Sequence, residues 1–261
     1  MDTYSKRNGC QTTTSAAECL KYLQQNGSPW NKELTSLAAA KGHLECLKYL
    51  HKNGCPWDEY TTWYAALNGH LECLKYLHQN GCPWNQEATL YAVEYGKLEC
   101  LEYLHKNGCP CNEGTTMVAA GKGRLEFLKY LHENGCPWDE YATLTAAGKG
   151  QLECLKYLHK NGCPWNAKIT SFAARNGELE CLKYLYQNGC PWDEQATEQA
   201  AGYGRLECLK YLHQNGCPWD KVPIGSKVKI WWKMIQDTVK TRPFVFFWLE
   251  KTTISSYSEN G

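Results

Sequence analysis

The stretch "WDEYTTWYAALNGHLECLKYLHQNGCP", Trp57 to Pro83, decides the fold. Its first half reads as a short helix. Asp58 supplies an N-cap oxygen for an orphan backbone N–H, Glu59 suits the positive N-terminal end, and Gly69 closes the helix. In the second half Leu71, Leu74 and Leu77, with Cys73, keep helical spacing. Gly81 is the stop signal, and Pro83 prevents any continuation.

The pattern is not local. Asn-Gly pairs opening NG(C/S)P fall at Asn26, Asn53, Asn80, Asn107, Asn134, Asn161, Asn188 and Asn215, always 27 residues apart and with no insertion. Counted from the Trp position, the units are Trp30–Pro56, Trp57–Pro83, Trp84–Pro110, Cys111–Pro137, Trp138–Pro164, Trp165–Pro191 and Trp192–Pro218. One such unit cannot bury its apolar face alone, so the units must stack. The predicted fold class is therefore all-α, a helical-repeat solenoid of helix-turn-helix units. Residues 30–218 form the seven repeats, residues 1–29 a shortened N-terminal capping repeat, and residues 219–261 a helical C-terminal cap. In that last segment Val228, Trp231, Trp232, Ile235 and Val239 keep helical spacing.

The segment "AALNGHLECLKYLHQNG" resembles the core of the ankyrin repeat: two alanines, two spacers, Gly-His, then an apolar helix ending in Asn-Gly. Ankyrin repeats commonly run to 33 residues and carry a Thr-Pro-Leu-His signature. Here "CPWDE" stands where the β-hairpin finger of that family would be, so the expected units are ankyrin-like and lack the finger. The wording LECLKYLHENGCPWDE is similar to short ankyrin-like repeats of large DNA viruses that infect amoebae. The resemblance covers roughly Cys10 to Trp219 and implies a protein-interaction scaffold, with a host protein as partner if the chain is viral. Many such relatives begin with an F-box that recruits ubiquitin-ligase machinery. Few residues precede the first unit here, so that role is not carried over, and a ubiquitin-ligase substrate adaptor stands as an alternative.

Charge and composition narrow the classes. The formal net charge is +1, which draws the chain to neither nucleic acid nor an anionic membrane. Along the second helix Glu45 accompanies Lys48 and Glu72 accompanies Lys75, so the fields cancel and no phosphate track forms. A nucleic-acid-binding helical repeat is the other alternative. The start "MDTYSKRNGC" lacks the apolar core of a signal peptide, and "FVFFWL" at 244–249 is far shorter than the ~20 residues that span a bilayer. No membrane association and no small-molecule substrate are expected. Sixteen cysteines in such a chain suggest free thiols in a reducing compartment. The cytoplasm is the expected location (the host cytoplasm for a viral protein), with the nucleus as a second possibility.

The thiols and imidazoles invite a metal-site reading. Five units contain C-x4-H-x3-C, as in Cys46, His51 and Cys55. Residues five apart on a helix differ by about 140° in direction, so Cys46 and His51 cannot both reach one tetrahedral zinc ion. Phe127 and Tyr186 interrupt the pattern without disturbing the period. Cys46, Cys73, Cys100, Cys154, Cys181 and Cys208 read instead as small core hydrophobes. Equivalent cysteines in neighbouring units should lie ~8–10 Å apart, beyond disulfide reach. No metal, cofactor or catalytic residue is assigned, and the protein is read as non-enzymatic. The tryptophans at Trp30, Trp57, Trp84, Trp138, Trp165, Trp192 and Trp219 read as packing between units, with Cys111 a weak link.

Comparing units with one another separates shape from choice. Thr62, Ala65, Ala66 and Gly69 are constant among their equivalents but for Val93, whereas Tyr60, Trp63, Tyr64 and Leu67 vary. Both stripes have i, i+3, i+4, i+7 spacing and point in nearly opposite directions. One face is fixed by stacking and the other is free for a partner. The expected partner-binding residues are Tyr60, Trp63, Tyr64, Leu67, Leu90 and Tyr91, continued more thinly by Met117, Leu144 and Phe172. Trp63 is taken as the centre and as a surface residue, tolerant of truncation within roughly 0.5 kcal/mol of stability.

Overall fold

A computed structural model describes residues 30–218, together with Glu18 and Gln25, which are both helical. Apart from those two residues, the predicted caps at 1–29 and 219–261 lie outside the described residues. Fourteen helices and no strand occur among the described residues. The first helices of the repeats are α1 (Lys32–Ala40), α3 (Glu59–Asn68), α5 (Gln86–Glu94), α7 (Glu113–Gly121), α9 (Glu140–Gly148), α11 (Ala167–Asn176) and α13 (Glu194–Gly202). The second helices are α2 (Leu44–Lys52), α4 (Leu71–Gln79), α6 (Leu98–Lys106), α8 (Leu125–Glu133), α10 (Leu152–Lys160), α12 (Leu179–Gln187) and α14 (Leu206–Gln214).

Two compact units can be distinguished. One runs to Ala146 and includes Glu153–Pro164; the other takes Ala147–Leu152 and the chain from Trp165. In the first unit α1, α3, α5 and α7 pack on one another in series, with α2, α4 and α6 as a second layer against them. In the second, α11 packs on α13 and α12 on α14. This is the stacked helix-turn-helix arrangement of a helical-repeat solenoid.

Each repeat is closed by its own side chains. Asp58 Oδ1 accepts the Tyr60 N–H at 3.1 Å and caps α3, and Gly69 ends that helix in the left-handed conformation. Inside the repeat Thr62 Oγ1 donates to the Pro83 carbonyl at 2.8 Å, and Cys82 Sγ donates to the Asp58 carbonyl at 3.3 Å. The two bonds tie the start of the first helix to the loop after the second. Thr62 is buried, so its hydroxyl needs this partner. The core is made of leucines from the second helices, such as Leu74, Leu77, Leu101 and Leu104, and of small residues from the first, such as Ala65 and Ala66. Small residues here let the first helices approach closely, which explains why this stripe hardly varies, Val93 being its one larger residue.

Adjacent repeats are joined along the second helices by rings. The His51 ring stacks on Trp57 with centroids 3.9 Å apart, and its Nδ1 shares a hydrogen bond with Tyr76 Oη at 2.9 Å. His78 with Trp84 and Tyr103, and His132 with Trp138 and Tyr157, repeat the pattern. The histidine thus cross-links repeats through a stack and a hydrogen bond.

The turn between the helices is equally constrained. Gly42 has φ 70°, and a Cβ built there would meet His70 Nδ1 at 2.5 Å. His70 is itself held by a contact of 3.1 Å from Nε2 to the Ala40 carbonyl. Gly42→Ala is expected to cost more than the ~1–2 kcal/mol of the left-handed backbone alone. Gly54→Ala, at φ 76° with nothing near the added methyl, should cost only that backbone amount. Urea unfolding of the two variants checks the difference.

The thiols follow expectation except at one pair. Twelve described cysteines are buried and outside any disulfide. Cys111 and Cys136, by contrast, form a disulfide with a Cα–Cα distance of 5.9 Å. The spacing that excludes disulfides applies to equivalent cysteines one repeat apart. Cys111 occupies the Trp position, and its partner is the loop cysteine of the same repeat. Among the described residues no group of three or more His, Cys, Asp or Glu side chains is placed to hold a metal ion. Nor is any described helix long and apolar enough to cross a membrane.

Candidate interaction surface

The variable residues of the first helices resolve into columns of different depth. The column of Tyr64, one residue per repeat, carries exposed apolar residues: Leu37 is 55% exposed, Tyr64 43% and Phe172 38%. In the column of Tyr60, Tyr60 itself is 45% exposed and Tyr141 56%. The column of Trp63 is deeper, and Trp63, Leu90, Met117 and Leu144 are all half-buried. Leu67 and Tyr91 are half-buried as well.

Within the first unit, rings from neighbouring repeats meet. Tyr60 lies edge-on to Trp63 at 4.4 Å, Trp63 is tilted against Tyr91 at 5.6 Å, and Tyr91 reaches Tyr95 at 6.5 Å. Trp63 Nε1 donates to Asn85 Oδ1 at 2.6 Å, and the same oxygen caps α5 by accepting the Glu87 N–H. Trp63 therefore spends its one polar group on the next repeat. This corrects the expectation of a free surface residue: its ring is half mortar, half surface, because a column between the stacking stripe and the outer face touches both. Leu90 likewise lies near the position where a Gly114 side chain would stand.

Charge around these rings is paired off. Lys32 Nζ binds Asp58 at 2.9 Å and also lies 5.6 Å from the centroid of the Tyr60 ring. Lys122 pairs with Glu94 at 3.2 Å. On the second helices Lys48–Glu45, Lys75–Glu72 and Lys156–Glu153 are ion pairs within 2.8 Å. These bonds with the glutamates raise the Lys48 and Lys75 pKa values. These cations, beside the rings and along the second helices, are therefore held by carboxylates.

In the second unit Phe172 lies beside a cation. Arg175 lies 6.0 Å from its ring and 4.5 Å from the ring of Tyr203. Tyr203 is 49% exposed.

Comparison with known families decides the lineage. The model for ankyrin repeats (3 copies) matches residues 10–88, 62–141, 116–195 and 143–222. The chain belongs to the ankyrin-repeat family. No curated protein matches it at a significant level. Ankyrin repeats are in general protein–protein interaction modules. This ankyrin-repeat chain shows no strand among its described residues, and its His–Trp–Tyr contacts join the second helices of neighbouring repeats to the tryptophan of the loop between them.

Sequence reasoning missed part of the exposed set. Leu37 and Tyr141 belong to the columns of Tyr64 and Tyr60, so carrying those columns through all seven repeats would have found them. Tyr95, 52% exposed, and Tyr203 precede the closing glycine of their first helices, where Asn68, Lys122 and Asn176 stand in other repeats. That position also varies, which is the signal that marked the others.

Proposed function

We propose that the protein is a non-enzymatic interaction scaffold that binds a protein partner on the variable face of its first helices. Seven repeats over residues 30–218, flanked by capping segments 1–29 and 219–261, would present that face in the cytoplasm. The partner is a host protein if the chain is viral. The contact set is Tyr60, Trp63, Tyr64, Leu67, Leu90 and Tyr91, extended to Met117 and Leu144 and, in the second unit, to Phe172. Leu37, Tyr95 and Tyr141 join it by exposure. The supporting observation is that Leu37, Tyr60, Tyr64, Tyr95 and Tyr141 are large, apolar in body and exposed on the one stripe that stacking leaves free. Tyrosine and tryptophan dominate binding hot spots, and the paired ions around them add no repulsion.

Because Trp63 also holds Asn85, the decisive variant is Tyr64→Ala. Its ring is exposed, so truncation removes contact surface and little packing. Partners captured by the full chain from extracts of the native cell, identified by mass spectrometry, are compared with those of Tyr64→Ala and of Glu45→Ala on a second helix. The expected result is a partner kept by wild type and Glu45→Ala and weakened by at least ~2 kcal/mol by Tyr64→Ala. Stability of Tyr64→Ala should stay within roughly 0.5 kcal/mol of wild type. A partner that ignores Tyr64 but responds to Glu45 would move the interface to the second helices.

A further inference from the structure

We propose that Cys111 and Cys136 form a reversible redox-modification site that takes low-molecular-weight disulfides as its co-reactant and sets the firmness of one repeat. Three independent features of the fold converge on this pair.

The first is position. Cys111 stands where six other described repeats carry tryptophan (Trp30, Trp57, Trp84, Trp138, Trp165 and Trp192). It is also the one described cysteine that is not buried. Accessible thiols are the ones that exchange. The remaining thiols are sequestered: Cys82, Cys109 and Cys163, for example, are buried and donate to main-chain carbonyls of their own repeats. Burial pushes these three up to about 11, 11 and 12, which keeps them protonated and unreactive.

The second is that both redox states have a native arrangement. In the sister repeats the counterpart of Cys136 donates its S–H to the carbonyl 24 residues earlier, as Cys55 does to Asn31 and Cys82 to Asp58. The same register gives reduced Cys136 the Asn112 carbonyl. The disulfide substitutes Cys111, the neighbour of Asn112, for that acceptor, with Cα atoms 5.9 Å apart and so well within bridging distance. The switch therefore needs side-chain rotation and leaves the helices in place.

The third is what the missing tryptophan takes away. His105 keeps its edge contact with Tyr130 at 5.8 Å, but Tyr130 Oη is buried with no hydrogen-bond partner, whereas Tyr76, Tyr103 and Tyr157 each bond a histidine. Without its ring stack, the repeat beginning at Cys111 is held less firmly to the one before it. The disulfide does not replace that contact between repeats; it firms the repeat itself, tying its first residue to its own closing loop when oxidised and releasing it when reduced. Local opening concentrates where such contacts are fewest.

The exchange is balanced. The Cys111 thiolate attacks a sulfur of glutathione disulfide, releasing one glutathione thiolate, which takes up the proton Cys111 gave up. The Cys136 thiolate then attacks the Cys111 sulfur of the mixed disulfide and releases the second glutathione in the same way. Two protein thiols are oxidised and one small disulfide is reduced to two thiols; excess glutathione runs the steps backwards.

The test uses the full chain equilibrated in glutathione buffers of increasing oxidised fraction. Native alkylation with peptide mapping reads the thiols, and amide hydrogen exchange reads the repeat. Cys111 and Cys136 are expected to be protected together and before any other described cysteine. Exchange in 111–116 should slow by at least about tenfold on oxidation. Cys111→Ser should abolish the redox response, and Cys111→Trp should give slow exchange in either buffer by restoring the stack. Oxidation spread evenly over the thiols would overturn the proposal. So would exchange rates at 111–116 that ignore the buffer in wild type, or a redox response that survives in Cys111→Ser.

Discussion

Between pH 9 and pH 11 the protein is expected to unfold at progressively lower urea concentration, and more steeply than exposed groups can explain. Burial pushes Cys73, Cys82, Cys100, Cys109, Cys154 and Cys208 from 9.0 up to about 11, and Cys163, Cys190 and Cys217 up to about 12. The sign follows from proton counting. Above pH 9 the unfolded chain releases these protons while the folded chain holds them, so stability falls as pH rises. The thiols leave stability unaffected below pH 9, and their penalty is complete once pH has passed the folded values. Each costs about 1.4 kcal/mol for every pH unit inside its window. Several acting together exceed the net stability of about 5–15 kcal/mol typical of a folded protein. Urea midpoints by circular dichroism from pH 8 upwards, with fresh reductant in every sample, measure the slope. Cys100→Ala should lower stability at pH 8 yet flatten the slope by one proton's worth. A midpoint that stays level through pH 11 would mean that the thiols ionise freely in the folded state.

Leu101→Ala is the second large effect. Leu101 is fully buried at the centre of α6, and its removal leaves a cavity between packed helices. Loss of about 2–5 kcal/mol is expected, against less than about 1.5 kcal/mol for Leu101→Met, which preserves volume. Leu37→Ala, at an exposed position, should stay within roughly 0.5 kcal/mol. Denaturant unfolding of the three variants ranks them. Equal costs for Leu37 and Leu101 would contradict the two depths assigned to these leucines.

The contrast between those leucines shows what a sequence can reveal here. The leucines of the second helix stand at unvarying helical spacing in every repeat, so their burial is legible from periodicity. Asp58 as a cap and Gly69 as a stop are legible for the same reason, because each answers a local backbone need. Depth on the variable face is another matter. Trp63 and Tyr64 are neighbours in sequence and vary equally between repeats, yet one bonds the cap of the next helix and the other faces outward. Variation shows freedom to change; it carries no measure of how far a side chain leans into its neighbour. Cys111 was legible as a defect in a tryptophan series. Its bond to Cys136 was not, because that contact joins two different positions of a single repeat, and comparing like with like passes over it.

The self-closure of each repeat has a consequence for how such a chain changes length over generations. In the first unit the bonds within repeats recur at offsets of 21 and 24 residues, as from Thr62 to Pro83 and Asp58 to Cys82. Those between repeats recur at 25 and 30, as from His51 to Tyr76 and Ala40 to His70. A genetic deletion or duplication of 27 residues, wherever its breakpoints fall, rejoins the same partner types at the same offsets. Unequal recombination between neighbouring repeats can thus lengthen or shorten the array in frame while these bonding offsets are kept. Each event changes which Tyr60-type and Tyr64-type residues stand side by side, so new binding faces arise by shuffling intact parts, without passing through an unfolded intermediate sequence.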